Sequence, residues 1–187
     1  MDYKNYIKNK KKFAKWLLKQ QRIFVQRADE GNSGIVYITN GIIAFKIPIE
    51  TYNTCFRIES GLYPDIKDTE QFRIENEIVS PNGPDIRQLF NEKPETREMK
   101  ISNIASVVPT GKNKTSYARL FYCEGHISFA NQNFLDFILC DDPTSIRQAS
   151  QYSPIFFEFD AGEEALVCPV KIKDLENVTE KLKAVFC

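Results

Sequence analysis

Apolar positions recur at helical spacing from Tyr6 to Gln20, a stretch of good helix formers without Gly or Pro, and this predicts a first helix. At 100° per residue, with Lys8 set to zero, Lys11, Lys12, Lys15 and Lys19 fall at about 300°, 40°, 340° and 20°, whereas Tyr6, Phe13 and Leu17 fall at about 160°, 140° and 180°. A lysine stripe therefore lies opposite an aromatic and aliphatic one. The pattern then shortens. Ile23, Phe24 and Val25 read as a strand within Arg22 to Arg27, and residues 29–34 as a loop. Ile35 to Thr39 and Ile42 to Ile47 are β-branched and aromatic runs separated by Asn40-Gly41, a pair that suits a type I′ turn and predicts a tight hairpin ending at Pro48.

Prolines at 64, 81, 84, 94 and 109 break the middle of the chain into short pieces. A short helix is expected at Pro84 to Asn91, with Ile86, Leu89 and Phe90 packing one face, and isolated strands around Phe72 to Ile78 and Ile101 to Val107. From Tyr117 regularity returns. Ala118 to Cys123 and His126 to Ala130 make a second hairpin, and Asn131 caps a helix running to Leu139. Ser145 to Ala149, Ile155 to Phe159 and Ala165 to Ile172 read as strands, and Leu175, Val178, Leu182 and Val185 mark a C-terminal helix.

The 187 residues suffice for roughly one domain, and 25 Lys+Arg against 25 Asp+Glu leave no net charge. The distribution is uneven. Up to Arg27 nine basic residues face the single Asp2, a charge of +8 that the remainder balances with −8. No apolar run reaches the ~18 residues of a membrane span, and the lysine-rich start lacks a signal-peptide core, so a cytoplasmic protein is expected. Five cysteines without a C-x-x-C pair fit reduced thiols better than a disulfide frame or zinc knuckle, and a single histidine leaves little for metal or triad chemistry. No cofactor or metal is expected.

Two blocks about 120 residues apart share an order of helix, strand, strand, turn, strand. Ser33-Gly34-Ile35-Val36-Tyr37 leads to Ala44-Phe45-Lys46-Ile47-Pro48, and Ser153-Pro154-Ile155-Phe156-Phe157 leads to Ala165-Leu166-Val167-Cys168-Pro169. The second block, through Val170-Lys171-Ile172, resembles the closing hairpin of the bacterial DNA polymerase III β sliding clamps, and Ile38-Thr39-Asn40-Gly41-Ile42-Ile43-Ala44 is similar to their strand-turn-strand. The resemblance implies an α+β, DNA-clamp-like fold of two βαβββ-type units. Unit one would span about 6–49, its first strand weak or missing, and a connector about 50–116. Unit two would span about 117–172, and the extra helix 174–185 would follow it. One such domain is about a third of a clamp chain, so a shortened homologue, of phage or other mobile-element origin, is the expectation. The resemblance further implies a non-catalytic replication accessory or DNA-associated protein. Its partners would be double-stranded DNA, bound without sequence preference, and replication proteins, with no membrane contact; a homo-oligomer stays open. A clamp-fold adaptor that binds only protein is the alternative.

Lys8, Lys11, Lys12, Lys15, Lys19 and Arg22 are the residues expected to bind nucleic acid, because ammonium groups a helical turn apart displace counterions from phosphates without reading bases. A merely solvated face is the competing reading of the same pattern. The second helix has no Lys or Arg and carries Asp136, unlike the basic helices with which clamps face DNA. Cys123, His126 and Asp136 could in principle form a small hydrolase, but no motif positions a third group. Asp141-Asp142 and Glu163-Glu164 read as solvated loop acids, and Ile86-Arg87-Gln88-Leu89-Phe90 is an incomplete match to clamp-docking peptides, better read as helix packing.

Overall fold

The computed structural model describes residues 3–30, 33–58, 61–91, 95–111, 114–123, 125–140, 142–160 and 162–171. The expected C-terminal helix at 174–185 lies outside them. Helix α1 (Tyr3–Leu17) starts three residues before the expected position and ends in a turn in which the Lys19 amide donates to the Trp16 carbonyl at 3.0 Å. Strands β1 (Arg22–Glu30), β2 (Ser33–Thr39) and β3 (Ile43–Pro48) follow. Most of the loop expected at residues 29–34 is strand, since Asp29 pairs with Gly34 and Glu30 with Ser33.

The hairpin around Asn40-Gly41 is present, but its turn is not type I′. Thr39 pairs with Ala44, and only Gly41 takes a positive φ, of 89°. Type I′ needs positive φ at both central residues. Here the Asn40 side chain instead accepts the Ile42 and Ile43 amides at 3.0 and 3.1 Å, and the Thr39 hydroxyl donates to the Ile43 carbonyl at 2.8 Å. Local side-chain bonding wins over the dipeptide preference.

Helix α2 (Ile49–Tyr52) runs into one π-helical turn at Asn53–Arg57. Strands β4 (Gln71–Glu75) and β5 (Ile78–Pro81), helix α3 (Gln88–Asn91) and strand β6 (Arg97–Glu98) come next. The middle of the chain is not a row of isolated strands: β4 pairs with β1, β5 with β4, and β6 with β10 (Ser145–Gln148). Strand β7 (Lys100–Gly111) pairs with β8 (Lys114–Cys123), and β8 with β9 (His126–Asn131). Helix α4 (Gln132–Ile138) is capped by Asn131, whose side chain accepts the Asn133 amide at 2.9 Å. Strands β11 (Ile155–Glu158) and β12 (Glu164–Val167) complete the described elements.

The architecture is mixed α and β, with antiparallel pairing in both sheets. A nine-stranded sheet runs β5-β4-β1-β2-β3-β12-β11-β10-β6, and a three-stranded one β7-β8-β9. Reading outward from the β3–β12 seam, each side presents the last, middle and first strand of a helix-strand-strand-strand block. The order of elements in the two blocks matches the sequence alignment, but the residue match is displaced by one. Ala44 packs on one face with Tyr37, Phe156 and Leu166, while Ala165 packs on the other with Phe45, Ile155 and Phe157. A slip of one residue exchanges the faces of a strand.

Central strands are buried on both faces, which explains their nearly unbroken apolar runs. Phe13 and Leu17 of α1 and Leu135 and Ile138 of α4 join the core on one face with Val25, Val36, Ile38, Phe45 and Val167. The two helices touch through Phe13 and Phe137, 5.3 Å between ring centroids, and through Trp16 with Phe134 and Phe137 at 5.6 and 5.2 Å. On the opposite face Ile86 and Phe90 cover Tyr37, Ala44, Phe156 and Leu166. Leu89, expected to pack beside them, is exposed.

Candidate nucleic-acid interface

The orientation of α1 follows from what holds its inner side. Phe13, Ala14 and Leu17 are fully buried, and Lys10 lies with them, its side chain only 4% exposed. Lys10 Nζ meets Glu163 Oε2 at 3.1 Å and lies 4.4 Å from the centre of the Phe45 ring. The Tyr6 hydroxyl donates to the other carboxylate oxygen of Glu163 and sits 3.4 Å from Thr51 Oγ1. Burial, and then the negative charge of Glu163, pushes the Tyr6 phenol well above the usual tyrosine range. Glu163, expected to be a solvated loop acid, is thus enclosed in the joint between α1 and the turn before β12. Glu164 is also engaged, with Lys46 Nζ at 3.4 Å.

With this side fixed, the opposite side of α1 faces outward. Lys8, Lys12 and Lys15 are exposed on it, Lys11 is half-buried, and Lys19 is exposed in the turn beyond the helix. Lys4, which falls at about 320° on the same wheel, extends the row by one turn. A helix begun at Tyr6 excludes it, although no Gly or Pro precedes Tyr6 in the sequence. Lys4, Lys8, Lys11, Lys12 and Lys15 line a surface cavity of about 690 Å³ with Asn5 and Ile7. Arg22 is exposed as well. It begins β1, and its guanidinium binds Glu75 at 2.9 Å, an interaction that holds the Glu75 carboxyl below its ordinary range. Its charge is therefore shared with Glu75.

Beside the lysine row, where α1 meets α4, Asn9, Lys12 and Trp16 face Asn133, Asp136 and Phe137 across a cleft of about 420 Å³. Asp136 accepts a hydrogen bond from Gln132 Nε2 at 2.6 Å. Cys123 and His126 stand directly opposite each other at the end of the β8–β9 pairing. The His126 ring nitrogen Nε2 lies 3.0 Å from Oε1 of Gln148, whose amide nitrogen donates to Ser128 and Ser153. A side-chain amide thus engages the imidazole.

Among the described residues no group of three or more His, Cys, Asp or Glu side chains could hold a metal ion. Among them, too, no helix is long and apolar enough to cross a membrane.

No family model matches the chain, and no curated protein matches it. Among solved structures it is similar to DNA polymerase III subunit beta from Borrelia burgdorferi, determined in complex with a natural product, with a TM-score of 0.44 and 10% identity. The alignment covers 90% of this chain and 62% of that one, so the chain spans less than two thirds of that protein's length.

Proposed function

We propose that this chain is a non-catalytic, DNA-associated protein of clamp-like design, an accessory to replication that acts by binding phosphates along α1. The observation that carries this reading is the exposed row Lys8, Lys12 and Lys15, flanked by Lys4 and Lys11, on a helix whose other side is fixed by a buried ion pair and aromatic packing. A cationic row on a rigid support meets a polyanion with little ordering of its own. Lysine ammonium groups gain from releasing condensed counterions and read no bases. The paired helix-strand-strand-strand blocks meeting at β3 and β12, with α1 and α4 side by side, support the clamp-like design.

Affinity for nucleic acid measured across a salt series tests the proposal. If about four phosphates are neutralised, log K should fall against log salt with a slope of roughly −3 to −4. Lys8→Glu, Lys12→Glu and Lys15→Glu together should abolish most of the binding and flatten the slope. A slope and affinity unchanged in that variant would make the row a solvated face and leave the protein-binding adaptor as the better account.

A further inference from the structure

The cleft between α1 and α4 has a composition that the phosphate-binding row does not explain. Its walls are aromatic, from Trp16 and Phe137, and its rim carries the amides of Asn9 and Asn133, the ammonium of Lys12 and the carboxylate of Asp136. An aromatic wall accepts the π-face of any base, and amide and carboxylate groups bond the donors and acceptors on base edges. Lys12 belongs to both the cleft and the lysine row, so the two features are continuous.

Charge decides which form of nucleic acid fits. A duplex laid over α1 and α4 together would bring phosphates against exposed Asp136, and α4 has no Lys or Arg to offset that repulsion. A single strand needs only α1. Its phosphates can follow the lysines while an unpaired base turns sideways past Lys12 into the cleft. In that position Asp136 meets base-edge amino groups instead of phosphate.

We infer that the α1–α4 cleft is a base-stacking site, and that the nucleic acid held by this protein is single-stranded, with one unpaired base lodged against Trp16. The inference rests on the proposed phosphate contacts of α1. It adds the substrate class and a second contact, and it differs from tracking along a closed duplex.

Trp16 is the only tryptophan of the chain, so its fluorescence reports on the cleft alone. The full-length protein is titrated at low salt with a short oligodeoxycytidylate, whose bases carry an amino group for Asp136, and with a duplex of the same length. Saturable quenching of Trp16 is expected from the single strand, with affinity roughly tenfold or more above that of the duplex. Trp16→Phe preserves an aromatic ring among Phe13, Phe134 and Phe137. Asn133→Ala removes a rim amide without changing the charge beside Lys12. Both should lower single-strand affinity, read by anisotropy of a labelled strand, while leaving the salt slope set by the lysines unchanged. Binding of the single strand without any change in Trp16 emission, or a duplex bound as tightly as the single strand, overturns the inference and leaves phosphate binding by α1 standing. No binding of either nucleic acid at low salt overturns both.

Discussion

At the residue scale the most consequential side chain is Lys10, which helical geometry sets apart from the other lysines of α1. It falls at about 200°, beside Leu17 in the apolar stripe and not among the other lysines. A lysine there must either break the helix face or find a buried anion, and no local pattern says that the anion is Glu163, distant in sequence. Removing one partner leaves a charge enclosed, so Lys10→Met alone should cost about 3–5 kcal/mol. Glu163→Gln combined with Lys10→Met removes both charges and keeps an acceptor for the Tyr6 hydroxyl, and it should return stability to within ~1 kcal/mol of the parent. Urea unfolding of the parent, the single variant and the double variant separates these outcomes.

Three enclosed phenols make a second prediction at the same scale. Burial raises the pKa of Tyr6, Tyr52 and Tyr63 above the ordinary tyrosine value of 10.0; the Tyr52 hydroxyl donates to the Pro64 carbonyl at 2.7 Å and that of Tyr63 to the Ala14 carbonyl at 3.2 Å. A raised value in the folded state means that the fold favours the protonated phenol. The stability this contributes is complete below pH 10 and declines as pH rises above it, by about 1.4 kcal/mol per pH unit for each phenol still protonated in the fold. The expected result is that these tyrosines ionise only on alkaline unfolding, so part of the tyrosinate absorbance should rise together with loss of the circular dichroism signal.

At the scale of elements, the sequence announces what local chemistry controls and conceals what distant packing controls. The cap of α4 belongs to the first kind. Asn131 precedes an apolar helical run, and its side chain satisfies the Asn133 amide as expected while also accepting from the Ser116 hydroxyl at 3.0 Å. A helix of seven residues has little stability of its own. Asn131→Ala should therefore lower the protein's stability by about 1–2 kcal/mol, measured as a shift in urea midpoint without change in slope. The alignment of the two blocks shows the second kind. Matching alanine to alanine is the natural choice on sequence, yet Ala44 and Ala165 face opposite ways, because residues in strands buried on both sides carry no polar marker of orientation. Residues 72–78 read as one strand on sequence, yet the chain turns back at Asn76 and Glu77, both at positive φ, so that β4 and β5 form a hairpin. Their assignment to the main sheet is not legible either, since pairing with β1 is fixed by neighbours about 50 residues away.

At the scale of the whole molecule, the halves join where β3 and β12 lie side by side, and the nine-stranded sheet ends in short edges, four residues in β5 and two in β6, whereas the smaller sheet has the longer β7 at its edge. The short edges offer little backbone for pairing with another copy, although Ile78 and Val79 of β5 are exposed. The helices α1 and α4 cover one face of the sheet, and Ile86 and Phe90 cover the other. On the proposed phosphate and base contacts, a single chain would be retained on nucleic acid by electrostatics and stacking, without topological closure. Two consequences separate this from ring-like behaviour. Complexes formed at low salt should dissolve as salt is raised, to the same extent on circular and on linear molecules, because Debye screening acts on the lysine row whatever the topology of the nucleic acid. Sedimentation across a range of protein concentrations should also show no stoichiometric ring in the absence of nucleic acid. Salt-resistant retention on circles that is lost on linearisation would instead require several copies, or a partner, to close around the strand.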